Sequence, residues 1–199
     1  MAAQTERRPQ VRLQPNRQKI AEAILFLIEE AERASTIITQ YEIVKSIFVS
    51  DIFHLKKFGR PVSFDNYVAM EFGPVPSETY DMLKPAYAGA RYFGADWPLW
   101  QREKAPERGS RTYKYMQAAR PANRRKLSES DMIELAEARK IVGTLGFRGV
   151  VDWTHKHKSY ASAWVADGTK GAYDMDYHLL IENEDEDLVS DLAHASKYI

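Results

Sequence analysis

The segment that most constrains this chain is Gly73-Pro74-Val75-Pro76-Ser77. Two prolines separated by one residue hold the backbone extended and remove two amide donors, so no helix passes through them. A second stop lies upstream at Gly59-Arg60-Pro61, where glycine suits a left-handed helix cap and proline cannot continue the helix. Between the stops, Asn66-Tyr67-Val68-Ala69-Met70-Glu71-Phe72 is short and partly alternating, as a strand is. Pro76 or Ser77 can open a helix, with Glu78 and Asp81 in its first turn and Tyr80, Leu83 and Tyr87 on one face.

Upstream of these stops the pattern is helical. From Asn16, the residues Ile20, Ile24, Leu27 and Ala31 recur at helical spacing, widened by Phe26 and Ile28, up to a polar stop near Arg33 to Ser35. Thr39 followed three residues later by Glu42 has the form of a capping box. Behind it Ile43, Val44, Ile47, Phe48, Ile52, Leu55 and Phe58 predict a second helix over about 41–58. Downstream, 97–104 and 111–118 read as strands around the charged turn 105–110, and with 67–72 they suggest one small antiparallel sheet of about three strands. Ser128, with Asp131 at the third helical position, opens a helix that should end at Gly143 or Gly146, followed by a short helix over about 149–160. The predicted fold is mainly α (α+β): one domain over 16–199, its first two helices packed antiparallel, after a flexible basic N-terminal tail over 1–15.

Composition narrows the function classes. A chain of 199 residues with 44% hydrophobic residues can close one core. It has no cysteine, which removes disulfides, thiolate metal sites and a cysteine nucleophile. The longest apolar stretch, Ala23 to Ile28, is far below the roughly 20 residues of a membrane span, so the expected address is the cytoplasm and no membrane partner is expected. The 28 basic and 28 acidic residues balance, which argues against nucleic acid as a partner. Basic residues concentrate before Ser128 and the remainder is net acidic, so the two parts attract each other.

Candidate chemistry is sparse. Asp51 lies on the apolar stripe of the second helix with His54 one turn later, an arrangement that serves either as an acid–base pair or as a hydrogen-bonded structural pair. His155 and His157 flank Lys156 without a third ligand at zinc-like spacing, so no metal site is expected, and a capping or surface role near Trp153 and Trp164 is the simpler reading. Phosphate-binding glycine loops and a Gly-x-Ser-x-Gly elbow are absent, and no cofactor is expected. The arginines at 120, 124 and 125 read as a basic linker, and the acidic run 182–187 as a solvated face.

The helix end Asp51-x-x-His54-x-x-x-x-Gly59-x-Pro61, the strand from Tyr67 and the run Gly73-Pro74-Val75-Pro76 together resemble the signature of the Panacea domain, the SocA-like family of bacterial and phage antitoxins. His155 and Trp164 are similar to the family's late His and Trp positions. Good resemblance spans about 17–83 and a weaker one reaches Trp164. It implies a non-enzymatic antitoxin that neutralises a toxin protein from the adjacent gene by direct binding, in a type II-like pair. Some members also deliver the toxin to an ATP-dependent AAA+ protease, which makes a proteolytic adaptor the alternative. An enzyme using Asp51 and His54 is the alternative of another class, and a homo-oligomer stays open. Outside the motif, Tyr92, Phe93, Trp97, Trp100, Tyr113 and Tyr115 cluster with Arg102 and Arg111. Aromatics beside arginines suit an interface with a toxin, and equally a local core under the hairpin.

Overall fold

The structure, a computed structural model, describes residues 10–109, 112–166, 169–181, 183 and 185–199. Helix α1 (Arg17–Arg33) starts at Asn16, whose side chain accepts from the Lys19 amide, and its residues Ile20 to Ile28 are all buried. A helix apolar on nearly every side runs through a core rather than along its surface. Its one buried acid, Glu22, is held by Arg120 at 2.7 Å and by the Asn123 amide at 2.6 Å, which gives the basic linker an internal task.

Strand β1 (Ile38–Thr39) leads into α2 (Gln40–Phe58), opened by the Thr39/Glu42 capping box and closed by Gly59 at φ 68. The principal neighbour of α2 is α4 (Glu129–His155), not α1 as the sequence suggested. The reason is that α2 is buried around much of its circumference, and α4 covers the side carrying His54 and Lys57. Ser128 and Asp131 form the capping box that starts α4. Of the two expected stops, Gly143 and Gly146, the helix breaks at Gly146, which takes the non-helical φ 62 and ψ −178, and helical turns resume beyond this kink to His155. Helix α5 (Lys158–Ala163) follows. The attraction between the basic and acidic parts is local, with Lys19 at 2.8 Å and Arg60 at 3.0 Å from Asp131, and Lys57 at 2.7 Å from Glu134.

The strands form two antiparallel three-stranded sheets among the described residues, where one was expected. In the first, β5 (Tyr113–Met116) lies between β1 and β4 (Gln101–Lys104). In the second, β2 (Tyr67–Met70) lies between β3 (Gly73–Pro76) and β6 (Tyr173–Asp174). The prolines fit β3 to the edge of the second sheet. Pro76 faces Tyr67 and Pro74 faces Ala69, so both occupy the same parity, the positions whose amides point away from β2. The Gly-Pro-Val-Pro run therefore satisfies β2 as an edge strand and leaves the 97–118 hairpin to another partner. Helix α3 (Ser77–Met82) follows β3 directly, and Tyr87 lies beyond its end.

The chain closes with α6 (Glu186–Ala195), capped by Asp185 with Glu186 and Asp187 in its first turn. The expected tail falls mostly outside the described residues. Within it, Leu13 is buried and exchanges two hydrogen bonds with the Asn66 side chain, at 2.9 and 2.8 Å, and the Gln14 amide donates to Ser196 Oγ.

Candidate functional site

Asp51 has no solvent exposure, and its carboxylate gathers the chain that follows α2. Oδ1 accepts the amides of Val62 at 2.7 Å and Ser63 at 2.9 Å, while Oδ2 accepts the hydroxyls of Ser63 and Tyr67. Burial pushes the carboxyl pKa up, and these donors pull against it. Gly59 and Pro61 make this possible, since the left-handed cap and the stop after it turn the backbone across the helix end.

His54 belongs to a different set of contacts. Its Nδ1 lies 2.8 Å from the Arg60 carbonyl, which can only accept, so Nδ1 carries the proton and Nε2 accepts from Ser130 Oγ at 3.0 Å. Burial lowers the imidazole pKa, which keeps the ring neutral. Asp131 Oδ1 lies 3.3 Å from Nε2, but its charge is met by Lys19 and Arg60. Burial raises the Asp131 pKa, and the Lys19 and Ser128 hydrogen bonds with Arg60 outweigh it and leave that pKa lowered. Asp51 and His54 thus share a helix face without sharing a proton path.

A further buried acid went unnoticed in the sequence. Asp65 accepts the amides of Glu78 at 2.9 Å and Thr79 at 2.8 Å, and the Thr79 hydroxyl at 2.8 Å. It caps α3 from a distance, because Pro76 at the cap position has no side-chain acceptor. Burial pushes its pKa up to about 7. No local signal marked it, since the β2–β3 hairpin separates Asp65 from the start of α3.

Around β3 the contacts are tight. Gly73 has φ 98, and a Cβ there would lie 2.6 Å from Thr154 Oγ1 and 2.9 Å from Lys45 Nζ. Lys45, also unremarked in the sequence, is buried and donates to the Pro74 carbonyl at 2.8 Å. Its signal was a lone charge within the uncharged run Ile43 to Val49. His155 stacks on Tyr160 at 4.3 Å, and Tyr160 stacks on Trp164 at 6.1 Å while its hydroxyl donates to the Met70 carbonyl. The two late motif positions are joined through Tyr160. Beside them is a cavity of about 990 Å³ whose walls include Tyr41, Lys45, Phe72, Tyr80, Tyr113 and Trp164.

The aromatic cluster divides. Trp100 and Tyr115 are buried, and the Tyr115 hydroxyl donates to the Leu83 carbonyl at 2.7 Å. Phe93 stacks on Trp97 at 5.3 Å. Tyr92 is 61% exposed, with the Arg17 guanidinium 4.6 Å above its ring. Arg102 lies 3.4 Å over the Tyr113 ring, and Arg111 lies outside the described residues. Among the described residues no helix is long and apolar enough to cross a membrane.

No curated protein and no solved structure matches the chain. The profile of the family described as antitoxin SocA-like, Panacea domain, matches residues 43–161. That match takes in most of the chain, from the apolar face of α2 through Asp51, His54 and the Gly-Pro-Val-Pro strand to the His155–Tyr160 stack. The chain therefore belongs to the SocA-like antitoxin family and carries its Panacea domain.

Proposed function

We propose that this protein is an antitoxin that neutralises a toxin protein encoded beside it, by direct binding in the cytoplasm and in the manner of a type II pair. The family match over 43–161 carries this reading. Binding rather than turnover is supported by the separate engagement of Asp51 and His54, whose polar atoms are taken up by Val62, Ser63 and Tyr67 on one side and by Arg60 and Ser130 on the other. A general acid or base needs a substrate within hydrogen-bond reach, and both groups are fully buried.

The toxin-facing residues we propose are those of the aromatic cluster that keep exposed surface, Tyr92, Phe93 and Trp97, continuing to Arg102 and Tyr113. Trp100 and Tyr115 contribute by supporting them from the core. Co-expression with the product of the adjacent gene tests the reading, with growth and co-purification scored together. Rescue of growth with a stable complex is expected. Toxicity that this chain neither relieves nor binds, or no toxicity at all, removes the antitoxin function.

A further inference from the structure

The cavity beside β3 contains a buried amine that meets no carboxylate among the described residues. Lys45 is 1% exposed, its Nζ has the Pro74 carbonyl at 2.8 Å, and among the described residues no carboxylate pairs with it. An ammonium carries three donors, and a charge withdrawn from water is costly unless an opposite charge meets it. Its surroundings supply no such charge at close range. Tyr41 on α2 lies with its ring 5.4 Å from Nζ, His155 on α4 is kept toward its neutral form by burial and by Lys45 itself, and Thr154 offers a hydroxyl already donating to the Val150 carbonyl. Glu71 and Lys170 line the cavity, with Glu71 exposed to solvent.

The mouth carries aromatic rings beside the exposed Glu71 and Lys170. Phe72 and Phe147 are about half exposed and meet at 5.4 Å, and Tyr41 packs on Phe147 at 4.8 Å. Phe147, the residue after the kink at Gly146, lines the neighbouring cavity and borders this one through its contacts with Phe72 and Tyr41. A polar anchor at the bottom of a pocket ringed by exposed aromatics is the anatomy of a binding hot spot. The walls come from both sheets, Tyr113 of β5 and the β2–β3 turn, and the volume takes several side chains at once. A segment crossing between the sheets can send one side chain to the floor.

We infer that this cavity receives an acidic side chain of the bound toxin, its carboxylate meeting Lys45 while apolar neighbours in the same segment lie against Phe72, Phe147 and Tyr41. This rests on the reading that the protein binds a toxin. Burial lowers the Lys45 pKa to about 7, so at pH 8 a carboxylate arriving beside it raises that pKa again and the amine takes up one proton from solvent to become the ammonium.

The test uses peptides as probes on the full chain. Acetyl-Leu-Glu-Leu-amide, its Gln counterpart and acetyl-Leu-Gln-Leu as the free acid are titrated in, and binding is followed through the Trp164 indole resonance, assigned with Trp164→Phe. The Glu peptide is expected to bind at least about tenfold tighter than the Gln peptide, and Lys45→Met to remove that preference. Equal affinity for the two amides, no shift with any peptide, or tighter binding of the free acid overturns the inference, the last by assigning the cavity to a chain terminus. The Glu–Gln comparison is made on the unaltered protein, so a folding defect in Lys45→Met cannot imitate the result. A Glu preference together with failed co-expression removes the antitoxin reading and keeps the site, and rescue without a Glu preference does the reverse.

Discussion

Lys45 and Asp51 are both buried charges on α2, and the fold provides for them in opposite ways. Asp51 meets the amides of Val62 and Ser63 and the hydroxyls of Ser63 and Tyr67, all from the segment that follows its own helix. Lys45 meets one carbonyl and then a cavity. The contrast separates residues that hold the turn from α2 into the second sheet from a group whose charge has no internal partner. Asp51, His54, Gly59, Pro61 and Gly73 are spent on turning the chain from α2 into the second sheet, and their polar atoms have internal partners. Under the proposed function, it is the groups the fold leaves incomplete that would recognise the toxin.

Removing Asp51 should break this comparison most severely. Asp51→Ala leaves two amides and two hydroxyls buried without an acceptor, at a cost of about 3–5 kcal/mol, read as a lowered urea midpoint. If the variant keeps its stability and instead loses toxin binding, Asp51 belongs with Lys45 as a recognition residue.

The next largest effect concerns pH. The folded-state pKa of Lys45, about 7, lies below the ordinary lysine value of 10.5. Between those values the unfolded chain holds a proton that the folded chain has released, so stability rises with pH across this window and is level below it. Lys45 should contribute on the order of 3 kcal/mol between pH 7 and pH 10, so the stability difference between the wild type and Lys45→Met should grow by about that amount across the window. Unfolding curves at three pH values check it. An unchanged slope in the variant would show that Lys45 is already charged and paired in the folded state.

How much of this was legible in the sequence depends on the range of the forces involved. The caps at Thr39 and Ser128, the stop at Gly59 and the start of α3 are local events between neighbouring residues, and each lies where the sequence put it. The division into two sheets was not legible, because the choice between β3 and the 97–118 hairpin as partner of β2 is made by tertiary packing. Asp65 was hidden for a related reason: a residue that caps a helix from another segment has no fixed spacing to it. The aromatic cluster was legible as a cluster but not in its division, since Trp100 and Tyr115 are buried while Tyr92 is exposed.

A smaller effect separates scaffold from surface at the start of α2. Thr39 accepts the Glu42 amide at 3.3 Å, and Glu42 returns to the Thr39 amide at 2.7 Å. Thr39→Ala should cost about 1 kcal/mol, measured by urea unfolding, with toxin affinity unchanged. A loss of affinity without loss of stability would extend the recognition surface to the N-terminus of α2.

The smallest effect on stability is expected at Tyr92, and it is the most informative about function. The ring is mostly exposed, and its one described support is the Arg17 guanidinium, itself fixed by Glu78 at 2.6 Å. Truncating an exposed ring on a pre-positioned arginine removes little that the folded chain needs, so Tyr92→Ala should stay within about 0.5 kcal/mol of the wild type. An aromatic poised beside a fixed arginine is also the type of group that dominates interfaces, and its loss should weaken the toxin complex by about tenfold or more. Calorimetric titration of the purified toxin into wild type and variant decides it. Unchanged affinity would leave the cavity around Lys45 as the recognition element and return Tyr92 to an ordinary exposed side chain.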